Sequence, residues 1–378
     1  MSNSLTPFVP EKTYAVCTNG TKRGEMVVGH HDNVMKKNTC LFATIQDKPT
    51  NFACVYMGIL IAVIGALLTA LFVSGVGATL GCLLLAALAG CLAAYGLGGV
   101  ICYFCLRPSP WIGFHPRVII NGEPAIIGTS TIICKPLWFT PGDITLFYSK
   151  EVASRVANIH RWNSFRRIFD ATSTAYGIPS MLYNAASGFI TGGFVDGIAS
   201  MGKDALKGFI GGTVFDFLKG EAIDGIANLI SPPNPNISSE DPKFKAVYEE
   251  EEFSLDPKNF ITGENIFGWI PTINAARSFK WSNPDRSRVM LWRHRVWGKF
   301  YSGKSAPLTA AWKWDKQLGV NKQSSQRALV NLGFSIGSDI ALGTVVGVLK
   351  NNFRKDLPEL ENAEAEAISK VGVFEKTI

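Results

Sequence analysis

Residues 51–106 read NFACVYMGILIAVIGALLTALFVSGVGATLGCLLLAALAGCLAAYGLGGVICYFCL, and none of them carries a charge. The nearest charges are Lys48 and Arg107. A membrane-spanning helix needs about 20 apolar residues, so this stretch is long enough for two. The small residues at 74–77 predict a turn between helices at 53–73 and 79–104. The sequence therefore predicts a two-helix transmembrane hairpin over 52–104. The alternative, a hairpin buried in a soluble core, is disfavoured because neither helix has a polar face.

The second predicted helix is rich in small residues, which allow membrane helices to pack closely. They are Gly81, Ala86, Ala87, Ala89, Gly90, Ala93 and Ala94.

Short β runs flank the hairpin on both sides. On the N-terminal side they are 13–17, 25–28 and 41–45, and on the C-terminal side 117–120, 125–127, 130–134 and 144–148. Asn121-Gly122 is a favoured two-residue turn between two strands. We therefore expect a discontinuous β domain over 12–51 and 105–150, which the hairpin interrupts.

The rest of the chain changes character three times. Residues 151–230 are Gly-rich with sparse charges and predict a weakly amphipathic helical region. This region is suited to a membrane surface or a chaperone groove, and an ordinary helical domain is the open alternative. Residues 231–252 predict a linker, because 231–241 contains three prolines and 249–252 is an acidic run. Residues 253–378 predict a basic and aromatic C-terminal helical region, with a Gly-containing apolar run at 328–349.

Basic and aromatic residues alternate over 277–304, which suits nucleic acid or anionic lipid headgroups. The open alternative is a basic helix face whose aromatic side chains enter a core. A net charge of +7 is mild, and nucleic acid is the disfavoured partner.

Catalytic signatures are missing from the sequence. It contains no HExxH, P-loop or nucleophile-elbow pattern, and only five histidines. His30 and His31 form a pair in a predicted solvated turn. We therefore favour a membrane-active or carrier role over an enzyme.

The cysteines carry the clearest chemical signal. Of the eight, Cys82 and Cys91 fall in mid-helix as small apolar residues, and Cys102 is open to either role. Cys54 and Cys105 flank the hairpin, so a folded hairpin brings them side by side. With Cys17 and Cys134 they would supply four thiolates, the donor set of a structural zinc site. Free buried thiols and disulfides remain open alternatives.

Several segments resemble the PAAR-like spike-tip proteins of type VI secretion systems, in particular the cysteine-containing subfamily. They are Tyr14-Ala-Val-Cys-Thr-Asn-Gly20, Asp47 with Asn51-Phe-Ala-Cys54, Cys105-Leu-Arg-Pro-Ser-Pro-Trp-Ile-Gly-Phe-His-Pro116, Val118-Ile-Ile-Asn-Gly-Glu-Pro-Ala125, Thr129-Ser-Thr-Ile-Ile-Cys134 and Pro141-Gly-Asp-Ile144. The resemblance covers about residues 12–150, with the hairpin as an insertion. The chain departs from the family where Lys135-Pro136 follows the last cysteine in place of a Gly-Gly pair.

The resemblance implies an α+β multidomain protein with a small cone-like β tip domain, interrupted by the apolar hairpin and followed by the mostly α-helical Gly-rich region. Such a tip caps a trimeric VgrG-type spike protein and holds a metal near its apex, a role that maps onto Cys17, Cys54, Cys105 and Cys134. The implied function is a spike-tip effector or cargo carrier that delivers the hairpin and the C-terminal region into target cells.

The resemblance also carries expectations about partners and location. About 50 apolar residues would aggregate in water, so we expect a chaperone or adaptor that covers the hairpin. The target-cell membrane and an immunity protein complete the expected partners. The first fifteen residues lack a signal-peptide pattern, so we expect a cytoplasmic protein that a dedicated machine exports. The alternatives are a pore-forming or membrane-disrupting toxin and a resident integral membrane protein.

Overall fold

The computed structural model describes residues 6–29, 35–36, 40–73, 76–134, 141–234, 237–248, 320–372 and 374–375; within helix α3 it describes no side chains at 179–218, and within α5 none at 320–329. The chain has an α+β fold, in which strands before and after a helical hairpin form an antiparallel sheet, and further helices follow. The strands are β1 Thr6–Pro7, β2 Tyr14–Cys17, β3 Gly24–Val27, β4 Met35–Lys36, β5 Cys40–Leu41, β6 Lys48–Pro49, β7 Trp111–Ile112, β8 Ile119–Ile120, β9 Glu123–Pro124, β10 Thr131–Cys134, β11 Gly142–Phe147 and β12 Phe374–Glu375. The helices are α1 Val55–Phe72, α2 Val76–Leu106, α3 Lys150–Ile230, α4 Pro242–Tyr248, α5 Val320–Lys355 and α6 Leu357–Ser369.

Six of the strands form one antiparallel sheet in the order β6-β3-β2-β11-β10-β7. Strands from before and after the hairpin therefore meet in one sheet, and β2 pairs directly with β11. The discontinuous β domain is a single module because its central pair joins residues more than a hundred positions apart. β1–β12, β4–β5 and β8–β9 are separate two-stranded pairs.

The predicted turn at Asn121-Gly122 is confirmed. It connects β8 to β9, and Asn121 and Gly122 have φ angles of 49° and 85°, as a two-residue hairpin turn with both residues left-handed requires. The predicted strand at 125–127 is wrong. The strand in this part of the chain is Glu123–Pro124, and Ala125 and Ile127 each form only an isolated β-bridge.

Helices α1 and α2 pack against each other as an antiparallel hairpin, with Gly58 of α1 against Gly90 of α2. A Cβ at Gly58 would lie 2.5 Å from the Gly90 carbonyl oxygen, and one at Gly90 would lie 2.7 Å from that of Gly58. This contact leaves no room for side chains, which is the small-residue packing of membrane helices. The second helix begins at Val76, so the turn is shorter than predicted.

Two distant parts of helix α3 contact the same carboxylate of α5. Arg166 and Lys219 each form an ion pair with Asp339, although a straight helix would separate them by about 80 Å. The chain therefore reverses direction between these residues. The first part of α3 runs antiparallel to α5, with Ser173 hydrogen-bonded to Asn331. The last part runs parallel to it, since Gly343 meets Ile223 and Gly347 meets Ala227.

The C-terminal residues return to the β module. Glu364 of α6 accepts hydrogen bonds from the backbone N–H groups of Tyr148 and Ser149, both at 2.8 Å. Val371 is buried with Phe8 of the β module, and β12 pairs with β1. The start and the end of the described chain are therefore held in the same place.

Candidate functional site

The candidate site is the base of the hairpin, where α1 and α2 meet the sheet. The Val55 N–H donates to the Asn19 carbonyl at 2.9 Å, and the Thr21 hydroxyl donates to the Ala53 carbonyl at 3.0 Å. On the other helix, a Cβ at Gly98 would lie 2.5 Å from the Cys54 carbonyl oxygen. The start of α1 is therefore fixed to the turn that follows β2, and α2 packs against the residue that precedes α1.

The structure brings all four predicted cysteines to this base. Cys17 ends β2, Cys134 ends β10, Cys54 precedes α1 and Cys105 lies in the last turn of α2. The thiols of Cys105 and Cys134 are hydrogen-bonded to each other. Gly142 of β11 leaves room for the cluster, because a Cβ there would lie 3.2 Å from the Cys17 sulfur. We call these four, with Cys102, the cysteine cluster.

Burial controls the chemistry of these thiols. It raises the pKa of Cys17 well above the usual range, and the neighbouring sulfurs of Cys134, Cys102 and Cys54 raise it further. Burial likewise raises the pKa of Cys54 and of Cys134 to about 12. Without a cation, the thiols are therefore protonated at neutral pH, because a thiolate in this apolar setting would be neither solvated nor balanced.

Cys102 belongs to the cluster, although the sequence left its role open. Its sulfur accepts a hydrogen bond from the Phe52 N–H at 3.3 Å, and it is buried in the same core as Cys17, Cys54 and Cys134. Cys102 and Cys105 are three positions apart, so they lie on one face of a helix. That spacing was the signal that could have identified Cys102.

The donor set suits zinc, since thiolates are the ligands that tetrahedral zinc sites use. None of the seven cysteines whose side chains are described forms a disulfide. Among the described residues, however, no three Cys, His, Asp or Glu side chains converge with the geometry of a metal site. Metal binding would require the thiols to lose their protons and the sulfurs to move together.

The hairpin exposes large apolar side chains along both of its helices. These side chains are between 40% and 79% exposed: Leu60, Ile64, Leu68, Leu71, Phe72, Leu80, Leu84, Leu85, Leu88, Leu92, Leu97, Val100 and Phe104. Such an area exceeds what a soluble monomer usually leaves in water. Three helical stretches in the described part of the chain are long and apolar enough to cross a membrane: Val55–Phe72, Gly77–Leu106 and Val330–Lys355.

The basic residues of α3 connect the helices to the β module. Arg161 donates to the Thr21 carbonyl at 2.7 Å. Arg167 donates to the Asn19 side chain and lies over the Tyr56 ring, 5.6 Å from its centroid. Arg161 and Arg167 are therefore engaged in contacts inside the molecule.

A second buried polar cluster lies between α3 and α5. Asp339, 4% exposed, pairs with Arg166 and Lys219 and is hydrogen-bonded to Asp170. Burial and the neighbouring Asp339 carboxylate raise the pKa of Asp170 well above its usual range. The Asp339 carboxylate is therefore shared by two cations from separate parts of α3.

The remaining candidates predicted from the sequence lie outside the described residues. They are His30-His31, the Lys135-Pro136 segment and the basic aromatic stretch 277–304. No protein-family model, curated protein or solved structure matches the chain.

Proposed function

We propose that this chain is a PAAR-like spike-tip effector or cargo carrier of a type VI secretion system. In this proposal the β module caps a trimeric VgrG-type spike, and the hairpin inserts in the membrane of the target cell. The observation that supports it is the hairpin base, where both ends of a charge-free helical pair leave one compact β module side by side. An insertion of this kind extends from the module without interrupting its sheet.

The cysteine cluster supports a structural role for zinc in the same proposal. Cys17, Cys54, Cys105 and Cys134 would hold the ion, and Cys102 is a fifth candidate ligand. A bound ion would join two strands to both ends of the hairpin, and so stabilise a module with a small core.

The exposed apolar surface supports a covered state before delivery. A chaperone or adaptor would shield it in the cytoplasm of the producing cell, and the target membrane would replace that partner after secretion. The proposal includes an immunity protein among the partners, and it includes no nucleic acid and no enzymatic step.

The test is co-purification from the producing cell through a C-terminal tag, followed by mass spectrometry and zinc analysis. We expect a spike trimer, a small chaperone and about one zinc per chain. Recovery of the chain from the membrane fraction without spike protein would refute the proposal and favour a resident integral membrane protein.

A membrane-disrupting toxin is the second candidate function. The observation that favours it is the third apolar stretch, Val330–Lys355, which contains Asp339 with its ion pairs to Arg166 and Lys219. Polar groups inside a bundle of apolar helices are expected where a membrane protein has a water-filled path. Leakage of a dye from vesicles at low protein-to-lipid ratio would support this function, and stable binding without leakage would exclude it.

A further inference from the structure

A groove lies at the base of the hairpin, between the last turns of α2 and the edge of the sheet. One wall consists of Val100 and Phe104 of α2, and Val27 of β3 forms part of the other. These three side chains are 54%, 70% and 50% exposed, in the order Val100, Phe104 and Val27. We call this the base groove. Its walls are apolar and open to the surroundings.

Two cations, Lys48 and Arg107, line the same groove. The Lys48 amine donates to the Ser109 carbonyl at 2.6 Å, and Arg107 donates to the Tyr103 hydroxyl at 3.1 Å. Both partners are neutral. Within the described ranges, neither cation forms an ion pair with a carboxylate, so the groove has a net positive charge.

Lys48 is half-buried where it lines the base groove. Burial lowers the pKa of its amine from the usual value. An anion beside the amine would reverse that effect, because an opposite charge favours the charged form. A negative group in the groove would therefore favour the charged form of Lys48.

The groove also lies at a defined level of the hairpin. Lys48 and Arg107 are the first charges on either side of the charge-free stretch 51–106. If the hairpin inserts, its base is the level where the hydrocarbon ends and phosphate groups begin. The positive groups and the apolar walls then face the two parts of one phospholipid molecule.

We propose that the base groove binds one anionic phospholipid, with the phosphate between Lys48 and Arg107 and an acyl chain along Val100 and Phe104. This inference rests on the proposed membrane insertion of the hairpin. It adds the lipid class and the residues that select it.

The test compares the binding of the full chain to phosphatidylcholine vesicles with and without phosphatidylglycerol, measured by flotation. We expect the anionic lipid to increase binding by the wild type. The variant K48Q/R107Q keeps hydrogen-bond donors at both positions. Its gain in binding from the anionic lipid should be about thirtyfold smaller than that of the wild type, since each cation near an anionic surface contributes about a fivefold gain. The matched control is R117Q/K150Q, which removes two exposed cations outside the groove and should keep the increase.

Equal loss in the control variant would overturn the inference, because the effect would then be one of overall charge. Equal binding of the wild type to both kinds of vesicle would overturn it too. In that case the proposed insertion would stand, whereas failure to bind any vesicle would refute the insertion itself.

A second measurement tests the groove without insertion. Native mass spectrometry of the full chain in detergent, with added phosphatidylglycerol, should show one retained lipid in the wild type and in R117Q/K150Q, but not in K48Q/R107Q. Absence of the lipid from the wild type would overturn the inference. Displacement of the lipid by inorganic phosphate would also do so, because the acyl chain would then contribute nothing.

Discussion

Replacing Glu364 with alanine is expected to loosen the connection between the C-terminal helix and the β module. The Glu364 carboxylate accepts the N–H groups of Tyr148 and Ser149, each at 2.8 Å, and the residue is 4% exposed. In the E364A variant both donors lose their charged acceptor in a place that water reaches poorly. Leaving such donors without a partner costs about 3 kcal/mol for the pair.

Hydrogen exchange followed by mass spectrometry measures this cost locally. A loss of about 3 kcal/mol corresponds to roughly a hundredfold faster exchange of the two amides. E364Q keeps one acceptor oxygen and should lie between the wild type and E364A. The matched control is E366A on the same helix, where Glu366 pairs with the exposed Lys370, and it should leave the exchange unchanged.

The same carboxyl predicts a dependence on pH. Burial raises the pKa of Glu364 from its ordinary value. At pH values between the ordinary pKa and the pKa in the folded chain, the folded chain therefore binds more protons than the unfolded chain. The stability that this group contributes is therefore complete below the ordinary value and decreases as pH rises through the folded pKa. Unchanged amide exchange in E364A, or an identical pH slope in E364A and the wild type, would refute the reasoning.

Two further predictions follow from the packing of the hairpin and its base. A Cβ in G90A would lie 2.7 Å from the Gly58 carbonyl oxygen, whereas one in G81A meets open space. In detergent, thermal unfolding should show G90A less stable by about 1–2 kcal/mol and G81A more stable by up to about 1 kcal/mol; equal shifts would contradict the crossing at Gly58. Because burial raises the pKa of Cys54 and Cys134 to about 12, iodoacetamide at pH 8 should label both slowly in the folded chain and rapidly in denaturant. Peptide mass spectrometry measures this, and fast labelling of either in the folded chain would place it outside the buried cluster.

The sequence identified the elements that depend on local composition. A charge-free run of this length is a helical hairpin wherever it folds, and the structure places its helices at Val55–Phe72 and Val76–Leu106. The turn at Asn121-Gly122 depends on two neighbouring φ angles, and it could likewise be predicted from the sequence. The helical character of 151–230 likewise follows from its residues, and α3 covers Lys150–Ile230.

The wrongly predicted strand at 125–127 shows that local sequence patterns do not determine where a strand pairs. Its apolar residues predicted a short strand there, but the hairpin turn fixed the register two residues earlier, at Glu123–Pro124. A short β run pairs where a partner is available, and the sequence does not show the partner.

The sequence by itself determined the hairpin and indicated that cysteines flank it, because both are properties of adjacent residues. Only the tertiary structure decided that β2 pairs with β11, that Cys102 joins the cluster, and that Glu364 returns to the start of α3. It also decided that Arg161 and Arg167 of α3 contact the turn after β2, next to the hairpin base. Each of these outcomes depends on contacts between residues about 50 to more than 200 positions apart, and such contacts are selected by the packing of the whole chain and not by the local preference of any segment.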